Sequence, residues 1–388
     1  MRRLILSAVV FSVSAGTLAY GQSLAVSPAP NDSVHAIVAP RTPLPSEAAS
    51  AGISKFSFIA YGDTRGALDG LELQYDHRLV VQSMLRMTAA MANGPDPIRF
   101  VVWSGDGVVD GRIAQQYDVS FVELVNRLTR DAGLSFFPAP GNHDVAHTTV
   151  VTDTNRIKGL RNYYGALRNL IPAEGSPRRL TGYPTFAVGY GNTFIVLWDS
   201  NIASDSTQFN WIKNQLEKLD KRRFVNIVAV AHHPAFSSGP HGGAFVEPQT
   251  AAIRQMYMPL FRKHHVRLMI AGHEHLFEHW VERYEVAGKP YRLDEIVSGG
   301  GGAPLYGYVG EPALREYAQA ALSEKVRLEH LVKPGMTPGE NPHHFVVVHV
   351  DGDHIRVEVI GTDFGQSFAP YRSRGADLTP PPNVPPTR

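Results

Sequence analysis

The sequence predicts a layered α/β fold with mixed β-sheets. Short apolar runs alternate with longer stretches of helical period, and polar residues cluster just after the apolar runs. Near the end, two alternating segments, 345–350 and 354–360, flank Asp351-Gly352-Asp353, the signature of a tight hairpin. Strand–helix alternation that ends in hairpin pairing fits helices layered on sheets with both parallel and antiparallel strands.

Taken in order, residues 1–21 read as an export signal. Arg2 and Arg3 precede an apolar run from Leu4 to Val13, followed by small residues around Ala15, Gly16, Ala19 and Gly21. The run is shorter than the roughly 20 residues a spanning helix needs. Cleavage therefore leaves no stable membrane anchor, and the expected destination is a periplasm or the medium. Residues 22–52, with five Pro among Ala and Ser, predict an extended leader before the folded part. The domain spans 53–370. Its strands are expected at 55–61, 98–103, 135–138, 193–198, 225–231 and 267–271, and its helices at 75–92, 115–132, 207–219, 250–263 and near 313–331. Residues 371–388 form a Pro-rich tail that cannot pack as a regular element.

Composition narrows the chemistry. The 388 residues carry 37 basic and 36 acidic side chains, a formal charge of +1, so no chain-wide basic surface for nucleic acid exists. The absence of Cys excludes disulfides, thiolate zinc sites, iron–sulfur clusters and cysteine nucleophiles. A metal must sit on His, Asp, Glu or Asn, and the chain has 17 His. No G-x-S-x-G elbow supports a serine hydrolase. The run Gly299 to Gly302 lacks the Lys-Ser/Thr of a phosphate-binding loop, and it reads as backbone passing close to a site.

Five motifs follow five expected strands: Gly62-Asp63, Gly105-Asp106, Gly141-Asn142-His143-Asp144, His232-His233-Pro234 and Gly272-His273-Glu274-His275. In open α/β sheets ligands bind beyond the carboxyl ends of strands, so scattered motifs can converge on one crevice. Singly, each has a plain structural explanation as a turn, a cap or a strand-face pair. Their conjunction, in this order, does not.

The arrangement resembles the calcineurin-like metallophosphoesterase superfamily, in particular the purple acid phosphatases and their exported bacterial relatives. The resemblance implies a four-layer αββα sandwich of two mixed β-sheets flanked by helices. It also implies two divalent or trivalent metal ions bridged by Asp106. Asn142, His232 and His273 would complete one metal site, and Asp63 and His275 would belong to the other. A bridging carboxylate offsets the repulsion of two close cations, and neutral Asn and imidazole avoid piling up charge that would repel phosphate. A sulfur-free N/O donor set suits Fe, Mn, Zn, Co or Ni without choosing among them. In the family a metal-bound hydroxide attacks phosphorus. The resemblance gives His143 the task of stabilising the transition state, and Asp144 is expected to hold its tautomer. His241, on a Gly-rich loop, is expected near the substrate.

Two positions break the pattern. The family reads Asp-x-His at the first motif, but here it is Asp63-Thr64-Arg65, and a guanidinium has no lone pair to donate. Purple acid phosphatases carry a Tyr three residues after the bridging Asp, where this chain has Val109. His77, at the start of the next helix, is a candidate replacement ligand. Arg65 suits bidentate binding of a phosphate ester. His264 and His265, beside Lys263 at a helix end, read as cations that complement the helix dipole.

The function expected is thus an exported dinuclear phosphoesterase acting on small phosphate monoesters. A phosphodiesterase acting on nucleotide, cyclic-nucleotide or phospholipid-type diesters is the alternative within the same chemistry. A catalytically silent binding protein on the same scaffold is the alternative outside it, motivated by Arg65.

Overall fold

The computed structural model describes residues 27–66, 74–243 and 245–362, with the backbone of 376–377. The export signal and nearly all of the Pro-rich tail lie outside these residues.

Two sheets stack face to face. The first has the order β12-β11-β1-β2-β3, from β1 (Lys55–Tyr61), β2 (Ile98–Trp103), β3 (Ser135–Pro138), β11 (His344–Asp351) and β12 (His354–Gly361); Ala376–Asp377 extends its β12 edge. Strands β1, β2 and β3 are parallel, while β11 and β12 return antiparallel. The second sheet has the order β10-β8-β9-β7-β6-β5-β4. Its members are β4 (Phe186–Tyr190), β5 (Thr193–Leu197), β6 (Asn226–Val230), β7 (Leu268–Ala271), β8 (Phe277–Val286), β9 (Lys289–Ser298) and β10 (Arg327–Val332). Its central strands β5, β6, β7 and β9 are parallel.

Period-two alternation explains the layering. Ile195, Leu197, Val228, Val230, Leu268 and Ile270 point into the inter-sheet core with Phe58, Phe100 and Val348. Their neighbours Phe194, Val196, Ile227, Ala229 and Met269 point outward under the helices 206–217 and 248–264. Trp198 stacks on Tyr257 at 4.1 Å to join that outer layer. Across the middle, Phe58 stacks on Phe100 at 4.9 Å, and Phe56 meets Tyr190 of the other sheet edge-on at 4.8 Å. Helix Tyr75–Met91 buries Val80, Val81 and Met84 on the outside of the first sheet. The result is the expected helix–sheet–sheet–helix sandwich.

Three expectations need correction. Residues 27–52 have no helix or strand but are not a separate leader: Val34 and Ile37 are buried in the core, and Ile37 N–H donates to Ala166 O at 2.8 Å. The helix expected near 313–331 is only Arg315–Ala320. After Lys325 turns left-handed (φ 50°), the chain becomes β10 and pairs with β8. The long hairpin β8–β9 is absent from the sequence-based reading because its turn, Ala287-Gly288, lacks the Asn-Gly or Asp-Gly signal while adopting the same two positive φ angles, 51° and 74°. The expected final hairpin forms, with Gly352 at φ 65° in its turn.

Candidate metal centre

The parallel strands β1, β2, β3, β6 and β7 all end on one side of the sandwich, and each delivers its motif there. Asp63, Asp106 and His273 take positive φ angles of 58°, 61° and 71°. Non-glycine residues rarely adopt this conformation, which costs about 1–3 kcal/mol each where it is held. Here the neighbouring chain holds it. Asp63 N–H donates to Gly105 O at 2.8 Å, and Thr64 and Arg65 N–H both donate to Asp106 O. His273 N–H donates to Asp63 Oδ2 at 2.8 Å, tying the two sheets together at the site.

The first donor set is Asn142, His232 and His273. His232 Nδ1 lies 2.8 Å from Ser104 O, which assigns that nitrogen the proton and leaves a lone pair on Nε2. Likewise His273 Nε2 faces Glu247 Oε2 at 3.0 Å, leaving its lone pair on Nδ1. Asn142 Nδ2 points to the His147 ring at 2.9 Å, so Oδ1 faces the other way. These three acceptors then lie together: Oδ1 is 2.6 Å from His232 Nε2 and 3.0 Å from His273 Nδ1, and the two nitrogens are 3.1 Å apart. With no proton among them they repel one another, and a cation is what such a set is built to hold. Burial lowers the His232 pKa to about 3, so the imidazole stays neutral.

Asp63, Asp106 and His275 form the second set, with donor atoms all within 4.8 Å of one another. His275 Nδ1 lies 2.6 Å from Pro304 O, leaving Nε2 to face Asp63 Oδ1 at 3.5 Å. That oxygen is buried and makes no hydrogen bond among the described residues. Burial and the adjacent Asp106 push the Asp63 carboxyl well above its ordinary range, and the His273 N–H and Arg65 only partly oppose this. Burial also opposes the charge on Asp106, but His232, His143 and Arg65 more than offset this and hold it below the usual carboxylate range. Asp106 Oδ1 is 3.5 Å from His232 Nε2, so this carboxylate reaches both sets. The donors present fit two metal ions sharing Asp106.

The structure does not bring His77 to this centre. Its Nδ1 pairs with Gln74 Oε1 at 2.8 Å and its Nε2 with Tyr61 Oη at 3.3 Å, in a buried aromatic pocket beside Phe121. Nor does Asp144 touch the His143 ring: its carboxylate accepts the backbone N–H groups of Asp106, Gly107 and Gly141 at 2.8–2.9 Å. Adjacent residues on a helical turn point apart. The His143 tautomer is set by Val109 O, 2.6 Å from Nδ1, which leaves Nε2 facing Asp106 Oδ2 at 3.9 Å. Arg65 lies at the same edge, its Nε 3.9 Å from Asp106 Oδ2 and without a hydrogen-bond partner among the described residues.

Other residues at the site carried no sequence signal. Glu247 bridges His273 and His241, its Oε1 being 3.2 Å from His241 Nδ1, and this hydrogen bond raises the His241 pKa. Tyr306 stacks on His275 at 4.1 Å. Three buried glutamates pin the loop after β6. Glu295 accepts Ala235 and Phe236 N–H, Glu278 accepts Ser238 N–H, and Glu274 accepts His241 and Gly242 N–H. Gly299 to Gly302 run against the same floor, where a side chain on Gly301 would sit 2.2 Å from Gly62 O.

Residues 58–277, more than half of the chain, match the family model described as calcineurin-like phosphoesterase. The chain belongs to the calcineurin-like phosphoesterase family. Among curated relatives, probable purple acid phosphatase 20 of Arabidopsis thaliana is 31% identical over 117 residues, 30% of this chain and 26% of that protein. The Fe(3+)-Zn(2+) purple acid phosphatase 12 of the same plant is 24% identical over 140 residues, 36% of this chain and 28% of that one. These matches thus span little more than a quarter of either relative. The structure of purple acid phosphatase PPD1 from yellow lupin (Lupinus luteus) seeds shares the fold, with TM-score 0.58 and 16% identity over 84% of this chain and 54% of that one. Asp63, Asp106, Asn142, His232, His273 and His275 all lie within the residues that match this calcineurin-like phosphoesterase model. No helix among the described residues is long and apolar enough to cross a membrane.

Proposed function

We infer that this chain is an exported, dinuclear-metal phosphoesterase that hydrolyses small phosphate monoesters. The observation that carries this reading is the pair of buried N/O donor sets that meet at Asp106, one of them with its donor atoms within 2.6–3.1 Å. When bound, the metals supply Lewis acidity at phosphorus and activation of water. An iron–zinc pair, as in the name of the Arabidopsis relative, is compatible with these ligands.

The chain's own residues do the rest. Arg65, side chain 15% exposed and free of a bidentate carboxylate partner among the described residues, anchors the ester oxygens. His143 presents Nε2 on the same side, where its imidazolium form, with Nδ1–H held by Val109 O, would hand the Nε2 proton to the leaving oxygen. His241, whose pKa is raised by its hydrogen bond to Glu247, adds a further donor contact. Three cationic or donor groups around one phosphate favour a dianion, which supports a monoester over a diester. The signal pattern of residues 1–21 supports export, which N-terminal sequencing of the secreted form would test.

The test pairs elemental analysis with turnover of p-nitrophenyl phosphate and bis-p-nitrophenyl phosphate under Fe, Mn, Zn, Co and Ni. The expected result is close to two metals per chain and faster monoester cleavage. A faster diester reaction would replace the substrate class. No metal, with neither ester cleaved, would leave a binding protein on this scaffold.

A further inference from the structure

A second cavity, of about 340 Å³, opens at the other end of the second sheet, where β6, β7 and β9 begin. Ligand pockets start at about this size. Its lining includes Lys221, Phe224, His264, His265, Tyr284 and Tyr291. One wall is a stack of rings: His265 lies on Tyr291 at 4.0 Å and 12°, and Tyr291 continues to Tyr284 at 5.7 Å. His265 reaches that stack from a left-handed backbone, φ 58°, where helix ends ordinarily use Gly. The strain is thus retained at a position whose side chain forms the wall.

The charges are unbalanced. Lys221 has no ion pair or hydrogen bond among the described residues, and Lys263 stands nearby. Arg292 is matched by Asp294, and the one carboxylate in the lining, Asp353, is 60% exposed. His264 is 5% exposed, yet neither ring nitrogen has a hydrogen-bond partner among the described residues. Such a group costs free energy unless something supplies its partner. It is not the helix-end cation its sequence position suggests, because burial together with Lys221 and Lys263 lowers its pKa to about 4. Two of the last helix carbonyls are already satisfied: Arg262 O accepts from Tyr284 Oη and His265 N, and Phe261 O from Val266 N.

The structure assigns this cavity as a binding site for a small aromatic anion, a ring bearing one carboxylate or phosphate group. The ring lies against the His265–Tyr291 wall, the anionic group meets Lys221, and His264 hydrogen-bonds it from within. The site is separate from the metal centre and does not depend on the activity inferred there.

Isothermal titration calorimetry on the full metal-loaded chain tests it, with benzoate and phenylphosphonate as probes. Benzoate should bind once per chain, with benzyl alcohol and cyclohexanecarboxylate each about tenfold weaker, the size of one lost charged or stacked contact. Lys221→Ala, a surface change that leaves the fold alone, should weaken benzoate about tenfold. Tyr291→Ala tests the ring wall in the same way, while Asp106→Asn should leave benzoate unaffected. If phenylphosphonate binds this site more tightly than benzoate when Asp106 is replaced, the natural anion is a phosphate. Absence of saturable benzoate binding up to about 10 mM, an affinity unchanged by Lys221→Ala, or binding lost with Asp106→Asn would each overturn the assignment.

Discussion

Gly141 is the residue whose replacement most directly tests whether Asp106 organises the centre. A Cβ added there would lie 2.1 Å from Asp106 Oδ1 and 2.5 Å from Asp106 N, against 3.4 Å for ordinary contact. The carboxylate must therefore retreat by about 1.3 Å. Backbone cannot yield as a flexible side chain would, and Asp106 is already held at φ 61°. A misplacement of about 1 Å costs on the order of 100-fold in rate, or roughly 2.7 kcal/mol of barrier. Overpacking adds about 1–3 kcal/mol of destabilisation. Gly141→Ala should thus fold, unfold at a lower temperature, hold less metal and cleave p-nitrophenyl phosphate about 100-fold more slowly. Gly52→Ala, whose Cβ would meet nothing within 4 Å, is the matched control and should leave all these quantities unchanged. A Gly141→Ala protein with normal metal content and normal turnover would refute the role given to Asp106.

Four further outcomes are expected. Arg65→Ala should raise KM for the monoester more than for the diester at unchanged metal content, and equal effects on both substrates would remove Arg65 from the phosphate site. Ferric-loaded protein should lack a visible phenolate band, because Val109 stands where the purple enzymes carry Tyr; a band abolished by Tyr306→Phe would instead make Tyr306 a ligand. Arg156→Met leaves the Asp199 charge buried without its partner and should cost about 3–5 kcal/mol, read as a lower urea midpoint. Burial raises the Glu295 pKa to about 8, so between roughly pH 4.5 and 8 the native state keeps a proton that the unfolded chain has released, and stability falls as pH rises. Glu295→Gln should be less stable at pH 5 but flatter from pH 5 to 8, and an unchanged slope would show that Glu295 does not set it.

The candidate donor positions were legible because each is written locally at a strand end, as a polar residue after Gly at Asp63, Asp106, Asn142 and His273, after Ala231 at His232, and two residues past His273 at His275. Such a motif fixes both where the chain turns and which strand carries it. Glu247, His147 and Tyr306 were not, since each reaches the centre from a loop whose path is set by other elements. Tyr306 is placed by its N–H bond to His275 O, and Tyr308 beyond it by Gly335 O. His77 shows the opposite failure. Its place at a helix start near the crevice suggested a ligand, but Tyr61 and Gln74 complete its hydrogen bonds first. Asp144 was singled out through its neighbour His143, yet it serves the backbone that shapes the Asp106 turn. The layers were visible in the alternating strands, whereas β4, despite the Gly191-Asn192 turn that joins it to β5, and the β8–β10 ribbon, whose Ala287-Gly288 turn lacks Asn or Asp, were not.

The two halves of the centre differ in what they ask of a metal. Asn142, His232 and His273 are neutral donors already held at contact distance by Ser104, Glu247 and His147, so a cation binding there needs little rearrangement of the protein. The other half concentrates two buried carboxylates with a single imidazole, and it has neither the His of the Asp-x-His motif nor the Tyr of the purple enzymes. Arg65 supplies a fixed positive charge at its edge, which offsets part of the carboxylate repulsion while leaving Asp63 Oδ1 without a partner. A guanidinium cannot donate a lone pair, so it substitutes for the missing ligand only electrostatically. The consequence is a division of labour: the Asn and imidazole half is preorganised for a metal, and the acidic half is tuned by an arginine that, under the proposed function, would also face the phosphate. Under the proposed function, the same substitution that weakens ligation would strengthen recognition of the anion and put Arg65 on the substrate side of the centre.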